Sequence, residues 1–245
     1  MTSLSVNVNK VALLRNTRET GVPDVVAAAV VCIEAGAHGI TVHPRPDQRH
    51  ITTPDVFDLA GLLAEHRDVE YNIEGNPFEG KYLELVTQVR PAQATLVPDT
   101  PGQRTSDHGW QMSRDGDRLS PIISQLRGLG IRVSVFMDPD PVQIELAAST
   151  GADRVELYTE SYATACRAGS ADAELNRFAQ AAHAAGEVGL AVNAGHDLNL
   201  HNLGPFCAAV PNVLEVSIGH ELIADAIWKG LADTVKAYLA VLGHG

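Results

Sequence analysis

The stretch GITVHPRPDQRHITTPDVFDLAGLLAEH, residues 39–66, joins a strand pattern to a helix pattern. In its first five residues the apolar Ile40 and Val42 alternate with polar side chains, which is the period of a β-strand. Thr53 and Pro54 then open an amphipathic segment, and proline favours the first turn of a helix. The stretch therefore predicts one strand followed by one helix.

The same alternation recurs along the chain. Strand patterns occur at residues 5–9, 39–43, 69–74, 93–98, 132–138, 154–159, 190–195 and 214–219. Helix patterns occur at residues 23–36, 53–66, about 78–90, 119–129, 141–150, 171–186 and 222–242. Strand–helix alternation is typical of a parallel sheet. Eight such units predict an α/β fold, a (β/α)8 TIM barrel, with residues 1–245 as one domain. An open doubly wound sheet is the alternative.

Composition excludes several classes of partner. The 245 residues are 45% hydrophobic and carry a formal net charge of −12, so a nucleic acid or an anionic membrane is not an expected partner. Cys32, Cys166 and Cys207 are far apart and form no CxxC pair, which predicts neither a zinc site nor a disulfide framework. Because the sequence shows no signal core and no membrane-length apolar run, we expect a cytoplasmic protein.

Polar side chains occupy one face of nearly every predicted strand. The apolar face must pack on the helices, so the polar face points into the barrel, where unpaired polar groups are costly. Ser134, Glu215 and Ser217 lie mid-strand and predict a hydrogen-bonded core. A second set lies at or near carboxyl-terminal strand ends, where barrels carry their chemistry: Asn9, His43, Glu74, Asp138, Glu156 and Asn193.

Two groups of residues predict binding of anions. His43, Arg45, Arg49 and His50 follow the second strand and are called the Arg/His cluster below. Arginine forks match phosphate oxygens, although Arg49 alone is interpreted as an exposed residue paired with a surface acid. Glycines and histidines also follow the last two strands, where barrels often bind phosphate on backbone N–H groups. The residues of this second group are Gly195, His196, Gly219 and His220.

Acid–base groups share the rim with these anion sites. His43, Glu74 and His196 are candidates, since a histidine or a carboxyl with a raised pKa titrates near neutrality. Lys10 is the only lysine clearly placed at a strand end. The polar segment 99–117 is longer than an ordinary loop and follows a strand, so it is predicted to be a lid. No HExxH or GxGxxG pattern is present.

These motifs in this order resemble the family of pyridoxine 5′-phosphate synthases of the deoxyxylulose-dependent vitamin B6 pathway. The similar segments are VNVNKVALLRNTR, GITVHPRPDQRHI, NIEGNP, LVPD, VNAGHDL and IGHELI, and the resemblance covers nearly the whole chain. It implies a barrel with extra helices, assembled as an octamer, that uses no metal or organic cofactor. It also implies condensation of two phosphorylated substrates, 3-amino-2-oxopropyl phosphate and 1-deoxy-D-xylulose 5-phosphate, to pyridoxine 5′-phosphate, phosphate and water.

The resemblance assigns roles by motif match. His43 and Glu74 match proton acceptors, His196 a proton donor and Glu156 the acid that stabilises a transition state. The residues that match binders of the amino-ketone phosphate are Asn7, Arg18, Gly219 and His220, and those that match binders of the deoxyxylulose phosphate are Arg45, His50 and Thr105.

The chain departs from the family pattern in two places. Asn9 and Lys10 stand where the family has Asp-His, at positions that contact the sugar phosphate. Asp197 stands where a glycine often follows the motif's histidine. Asp197 is expected to bind phosphate through its backbone N–H, with its carboxylate turned away.

Two alternatives remain open at the level of the sequence. One is a different phosphate-binding barrel, an isomerase or aldolase that acts on a single sugar phosphate and needs only the late-strand site. The other is a non-catalytic barrel that binds a phosphometabolite, which the presence of His43, Glu74 and His196 together disfavours.

Overall fold

Eight parallel strands close into a barrel in the computed structural model, which describes residues 1–244. The strands are β1 (Ser3–Asn7), β2 (Gly39–Val42), β3 (Glu70–Gly75), β4 (Gln93–Leu96), β5 (Arg132–Met137), β6 (Arg154–Tyr158), β7 (Ala191–His196) and β8 (Val213–Ile218). Each strand pairs with its neighbours in sequence, and β8 pairs with β1 to close the barrel. The predicted (β/α)8 barrel is confirmed, and the open doubly wound sheet is wrong.

Eleven helices accompany the strands within residues 1–244. They are α1 (Asn9–Arg15), α2 (Val25–Glu34), α3 (Thr53–Glu65), α4 (Tyr82–Val89), α5 (Met112–Gly128), α6 (Pro141–Ala148), α7 (Glu160–Arg167), α8 (Asp172–Glu187), α9 (Leu203–Ala209), α10 (His220–Lys229) and α11 (Leu231–Val241). The expected extra helices are thus present. Over the same residues, none of the helices combines the length and apolarity needed to span a bilayer.

Local capping explains why several helices begin where the sequence predicts. The Asp24 side chain accepts a hydrogen bond from the backbone of Ala27 at the start of α2. At α3, Thr52 before the helix and Asp55 in its first turn form a reciprocal capping box. Each cap satisfies backbone N–H groups that have no partner inside the helix. Such signals are local, so they are visible in the sequence.

The first predicted strand is too long at its carboxyl end. It ends at Asn7, and Asn9 and Lys10 form the first turn of α1 instead. The Asn7 side chain accepts from the backbone N–H of Asn9 at 3.0 Å. The Asn9 side chain in turn accepts from the backbone N–H of His43 at 2.9 Å. Asn9 and Lys10 therefore reach the barrel mouth from a helix and not from a strand end.

The predicted lid, residues 99–117, is also too long. Helix α5 begins at Met112, so the connection after β4 ends at Gln111. Gly116 and several polar side chains weaken the helix pattern at the start of α5 in the sequence. Its inner face is nevertheless buried at helical spacing through Met112, Asp115 and Leu119, and Asp115 pairs with Arg114 at 2.8 Å. The remaining segment, residues 97–111, is called the lid loop below.

The last predicted helix is two helices. Gly230 has a φ of 84°, a left-handed conformation that a helix interior does not accept, and it separates α10 from α11.

The last strand differs from its predicted pattern because the pairing register between β7 and β8 shifts at a bulge between Val192 and Asn193. Leu214, predicted to pack on the helices, is 44% exposed, and Val213 is buried instead.

Polar side chains fill the barrel interior as paired layers. Ser5, Thr41, Asn72 and Thr95 form a hydrogen-bonded chain across the first four strands, with distances of 2.7 to 3.3 Å. Gln93, Asn193 and Glu215 contact one another, and Arg154 donates to Asn193 and pairs with Glu215.

Pairing of this kind offsets the cost of burying polar groups. The mid-strand interpretation of Glu215 is confirmed. Asn193, predicted at a functional strand end, also belongs to this structural layer. Ser134 lies in the interior with a hydroxyl that has no partner within residues 1–244.

Candidate active site

A cavity of about 610 Å³ opens at the carboxyl ends of the strands. It brings together thirteen of the fourteen residues that the sequence singled out for catalysis or substrate binding. They are Asn7, Asn9, Lys10, His43, Arg45, His50, Glu74, Thr105, Glu156, His196, Asp197, Gly219 and His220. Their separation along the chain shows that barrel closure, and not local sequence, assembles the site.

Arg18 is the exception. It lies exposed in the turn after α1, where its backbone N–H donates to the carbonyl of Arg15, and it does not line the cavity. Its neighbour Arg15 is used structurally, in an ion pair with Asp55 of the α3 capping box. In this structure Arg18 is therefore not brought to the site.

Three side chains surround the Glu74 carboxyl at the end of β3. Asn7 Nδ2 donates to Oε2 at 3.4 Å, and Ser217 Oγ donates to Oε1 at 3.5 Å. His43 Nδ1 lies 3.9 Å from Oε2. These contacts are long, so they leave the carboxyl free to bond to a substrate.

Burial governs the protonation of two carboxyls in the cavity. Burial, together with the carboxyls of Asp99 and Glu215, raises the pKa of Glu74 to about 8. Burial also raises the pKa of Glu156 well above its ordinary value, with further contributions from Glu74 and Glu215. A low-dielectric site with several carboxyls disfavours ionisation of each. Glu74 is thereby suited to exchange protons near neutral pH, as the sequence predicted.

The prediction that His43 titrates near neutrality is wrong for the free protein. His43 is buried, and burial lowers its pKa well below 6.5, with Arg45 and His50 lowering it further. The imidazole is therefore neutral at physiological pH. A neutral imidazole beside a protonated Glu74 can accept a proton.

All four residues of the Arg/His cluster line the cavity, and Lys10 joins the two arginines there as a third cation, from α1. Burial lowers the pKa of Lys10, and Arg45 and Arg49 lower it further by repulsion. Arg45 forms a buried ion pair with Asp99, and its other Nη donates to the carbonyl of Gln103 at 3.0 Å. A phosphate dianion would relieve the mutual repulsion of these cations.

Arg49 combines the two interpretations that the sequence allowed. It pairs with the exposed Asp47 at 2.7 Å, as the surface interpretation predicts. It also lines the cavity and donates to the carbonyl of Gln103 at 3.0 Å. Together with Arg45 it ties the lid loop to the loop after β2.

His50 presents a hydrogen-bond donor to the cavity. Its Nδ1 accepts from the backbone N–H of Ile51 at 2.9 Å. Burial, together with the charges of Arg45 and Lys10, lowers the pKa of His50 to about 4. The neutral ring therefore carries its proton on Nε2, which suits contact with a phosphate oxygen.

The ends of β7 and β8 form the second anion-binding part of the rim. Gly219 precedes α10 without a side-chain cap, so N–H groups of the first turn, beginning with His220, have no capping oxygen. At β7, Asp197 Oδ2 lies 2.9 Å from His196 Nδ1, and Thr105 Oγ1 lies 2.9 Å from Nε2. The carboxylate of Asp197 is thus engaged by His196.

The absence of a side chain at Gly195 leaves room for the Glu156 carboxyl. A methyl group on Gly195 would stand 2.4 Å from Glu156 Oε1 and 3.0 Å from the carbonyl oxygen of Ser217. Glu156 Oε2 has no hydrogen-bond partner within residues 1–244 although it is fully buried. Such an unsatisfied buried oxygen is costly until a ligand pairs with it.

Sequence reasoning missed several residues of the cavity wall. They are Leu13, Val97, Arg104, Ser106 and Phe136, together with Ser217, which was assigned to the core alone. The period-2 alternation of the fourth and fifth strands places Val97 and Phe136 on the inner face, so the sequence contained a signal that could have predicted these two residues. Arg104 and Ser106 lie on the lid loop, whose conformation no periodicity describes. Asp138 does not line the cavity, and its carboxylate accepts from the backbone of Gly109 at 3.1 Å.

Comparison with known proteins shows the family of this chain. A profile of the family described as "Pyridoxal phosphate biosynthesis protein PdxJ" matches residues 4–244. The chain is 56% identical over 250 aligned positions to pyridoxine 5′-phosphate synthase of Xanthomonas campestris pv. campestris (strain B100), covering 100% of this chain and 97% of that protein. It is 55% identical over 248 positions to pyridoxine 5′-phosphate synthase of Albidiferax ferrireducens, covering 100% and 98%.

Among solved structures, 3-keto-L-gulonate-6-phosphate decarboxylase from Vibrio cholerae O1 biovar El Tor has a TM-score of 0.67 at 9% identity, with 99% of this chain and 97% of that chain covered. At that identity the likeness shows the fold alone. The family profile and the two full-length relatives show the family as well: this chain belongs to the PdxJ family of pyridoxal phosphate biosynthesis proteins.

Proposed function

We propose that this chain is a pyridoxine 5′-phosphate synthase. It condenses 3-amino-2-oxopropyl phosphate with 1-deoxy-D-xylulose 5-phosphate and releases pyridoxine 5′-phosphate, phosphate and water. The observation that carries the proposal is a single cavity in which proton-carrying side chains share a rim with two anion-binding groups, in a member of this family.

Two phosphorylated substrates account for two anion-binding groups. Lys10, Arg45 and His50 would bind the deoxyxylulose phosphate, with Thr105 contributing from the lid loop. Asn7, Gly219 and His220 would bind the amino-ketone phosphate, through the N-terminus of α10. A surplus of cations at one group also suits release of phosphate from the sugar, because the departing dianion is stabilised where it forms.

The chemistry requires repeated proton transfer. The amine adds to a ketone, the carbinolamine loses water to give an imine, phosphate departs, water adds and the ring closes. Glu74 and His43 would accept protons, His196 would donate them, and Glu156 would stabilise charge that develops in a transition state. The raised pKa of Glu74 lets the carboxyl both take and return a proton near neutrality.

The lid loop would exclude water from the reactive intermediates. Its backbone is held by Arg45 and Arg49 through Gln103, and its Thr105 contacts His196 across the cavity. Loop closure that sequesters a reaction in this way is common in barrel enzymes.

The direct test is incubation of the purified protein with both substrates. We expect pyridoxine 5′-phosphate by chromatography and equimolar inorganic phosphate. No product from authentic substrates and folded protein would overturn the proposal. An isomerase or aldolase would transform one sugar phosphate alone, so each substrate is also incubated separately, and neither is expected to react.

Variants of the acid–base groups sharpen the test. Glu74→Gln and His196→Asn are expected to abolish turnover while keeping the circular dichroism spectrum. Glu65→Gln and His201→Asn change exposed residues and serve as matched controls. Near-normal rates in the first pair would remove those two assignments.

Assembly and location extend the proposal. The chain is proposed to form a homo-octamer, and two apolar side chains left in solvent support burial in a subunit interface: Ile227 at 73% and Trp228 at 86% exposure. Sedimentation equilibrium gives the subunit number, and any number other than eight would refute the octamer. A cytoplasmic location is supported by three cysteines that form no disulfide within residues 1–244, and fractionation of the source cells tests it.

A further inference from the structure

His196 is held on both of its ring nitrogens. Asp197 Oδ2 lies 2.9 Å from Nδ1, and Thr105 Oγ1 lies 2.9 Å from Nε2. The Tyr158 ring meets the imidazole edge-on, with ring centroids 5.0 Å apart. These contacts come from the residue next in sequence, the lid loop and the end of β6, so they fix the ring in position and in rotation.

The backbone at His196 has an unusual conformation beside the Asp197 contact. His196 has a φ of 100°, a left-handed conformation that an L residue adopts only at an energetic cost. The turn that follows is anchored because Asn202 Nδ2 donates to the carbonyl of Asp197 at 3.1 Å. Strain of this kind persists where surrounding structure holds it, and functional sites are where it collects.

The protonation of the pair follows from the chemistry of the two groups. Burial raises the pKa of Asp197, but the hydrogen bond from His196 and the surrounding positive charge outweigh it, so the net pKa of Asp197 is lowered. An ionised carboxylate has no proton to donate. The proton between the two residues therefore resides on Nδ1.

We propose that Asp197 is a positioning residue that holds His196 as the Nδ1–H tautomer and directs an unprotonated Nε2 at the substrates. In the free protein Nε2 accepts from the Thr105 hydroxyl. A substrate hydroxyl or ammonium group that replaces Thr105 meets a proton acceptor. Once Nε2 has taken that proton, the same nitrogen is the donor for a later step.

The chemical part of this inference rests on the proposed function, whereas the tautomer does not. Without Asp197 the Nδ1 nitrogen would face the turn unpaired, and the imidazole would carry its proton on either nitrogen. A fraction of molecules would then present Nε2–H to a substrate that needs an acceptor. Asp197→Asn keeps an oxygen that accepts from Nδ1–H, so it should preserve the tautomer that Asp197→Ala loses.

The decisive measurement is ¹⁵N NMR of histidine-labelled protein without substrate, with the His196 signals identified by their loss in His196→Asn. We expect a protonated Nδ1 and an unprotonated Nε2 in the wild type and in Asp197→Asn. In Asp197→Ala and Asp197→Gly we expect both nitrogens to move toward averaged shifts. An unchanged pattern in folded Ala and Gly variants would overturn the proposal.

Kinetics give a second readout. Asp197→Ala should lower kcat by about ten-fold to a hundred-fold, because proton transfer by a positioned group is worth at least that much. The KM values should stay within about two-fold, and Asp197→Asn should restore a large part of kcat. A rise in KM with unchanged kcat would make Asp197 a binding residue and overturn the proposal.

Two controls keep the outcomes separate. Asp68→Ala removes an exposed carboxylate from the loop after α3 and should leave both the spectra and the rates unchanged. If the wild type forms no product from the two substrates, the proposed function fails while the tautomer measurement still decides the role of Asp197.

Discussion

Asp99 and Arg45 form a buried ion pair in which the carboxylate lies behind the cavity wall and the guanidinium forms part of it. Ser106 Oγ also donates to Asp99 Oδ2 at 2.8 Å, and Asn76 Nδ2 donates to the Asp99 carbonyl at 2.9 Å. The pair therefore joins the loop after β2 and the segment after β3 to the first part and the middle of the lid loop. A phosphate that binds Arg45 is therefore connected through Asp99 to all of these segments.

The first prediction concerns this ion pair. Asp99→Asn keeps the shape of the side chain and removes its charge, which leaves Arg45 buried without a counter-ion. Loss of one partner from a buried pair typically costs about 3 to 5 kcal/mol, so we expect a lower Tm. Inorganic phosphate should raise the Tm of Asp99→Asn more than that of the wild type, because the dianion supplies the missing charge.

Calorimetry across a phosphate titration checks this prediction. Asp68→Asn, which changes an exposed acid away from the cavity, should behave as the wild type does. Equal phosphate stabilisation of Asp99→Asn and the wild type would show that Arg45 is not a phosphate contact.

The second prediction concerns the pH dependence set by Glu74. As a proton acceptor Glu74 must be ionised, and its pKa is about 8 in the free protein. The value of kcat/KM should therefore rise with pH through about 8 and then level off. A pH–rate profile measured at subsaturating substrate reports this step, and a profile already flat from pH 6 would contradict it.

The contribution of Glu74 to the free energy of unfolding should depend on pH in the opposite direction. The pKa of Glu74 is raised from its ordinary 4.5, so the folded state keeps a proton that the unfolded state loses. Its contribution is complete below about pH 4.5 and declines as pH rises to about 8. The stability advantage of Glu74→Gln over the wild type should thus grow between pH 5 and pH 8 in urea denaturation.

The third prediction concerns Gly195. In Gly195→Ala the new methyl group would stand 2.4 Å from Glu156 Oε1, so the carboxyl must move. We expect a loss of about 1 to 3 kcal/mol in the free energy of unfolding and a larger loss of turnover. Gly186→Ala is the matched control, since nothing lies within 4 Å of its new methyl group in α8. The free energy of unfolding of Gly186→Ala should rise by about 0.5 to 1 kcal/mol, because alanine has a higher helix propensity than glycine.

The fourth prediction concerns Lys10. Lys10→Ala should raise the KM for deoxyxylulose phosphate about ten-fold to a hundred-fold, since hydrogen bonds to charged groups contribute about 1.5 to 3 kcal/mol. The KM for the amino ketone should change much less. Lys236→Ala, an exposed lysine of α11, is the control in the same steady-state assay. Equal increases in both KM values would place Lys10 outside the sugar-phosphate contact.

Local chemistry explains what the sequence alone determined. The alternation of strand and helix, the start of a helix at Thr53 and Pro54, and the polar residues at strand ends all depend on neighbours a few positions away. Because the carboxyl ends of parallel strands meet at one rim, His43, Glu74 and His196 could be assigned to one site before any contact was known. The boundaries failed where local signals conflict, as at Gly116 inside α5.

Only the tertiary structure decided how the assigned residues act. Arg45 meets a carboxylate 54 residues away, and Thr105 meets His196 across 91 residues. The low pKa of His43 and the high pKa of Glu74 arise from burial among groups of other strands. Register and barrel closure set these distances and this dielectric environment, and neither is encoded by any short stretch of the chain.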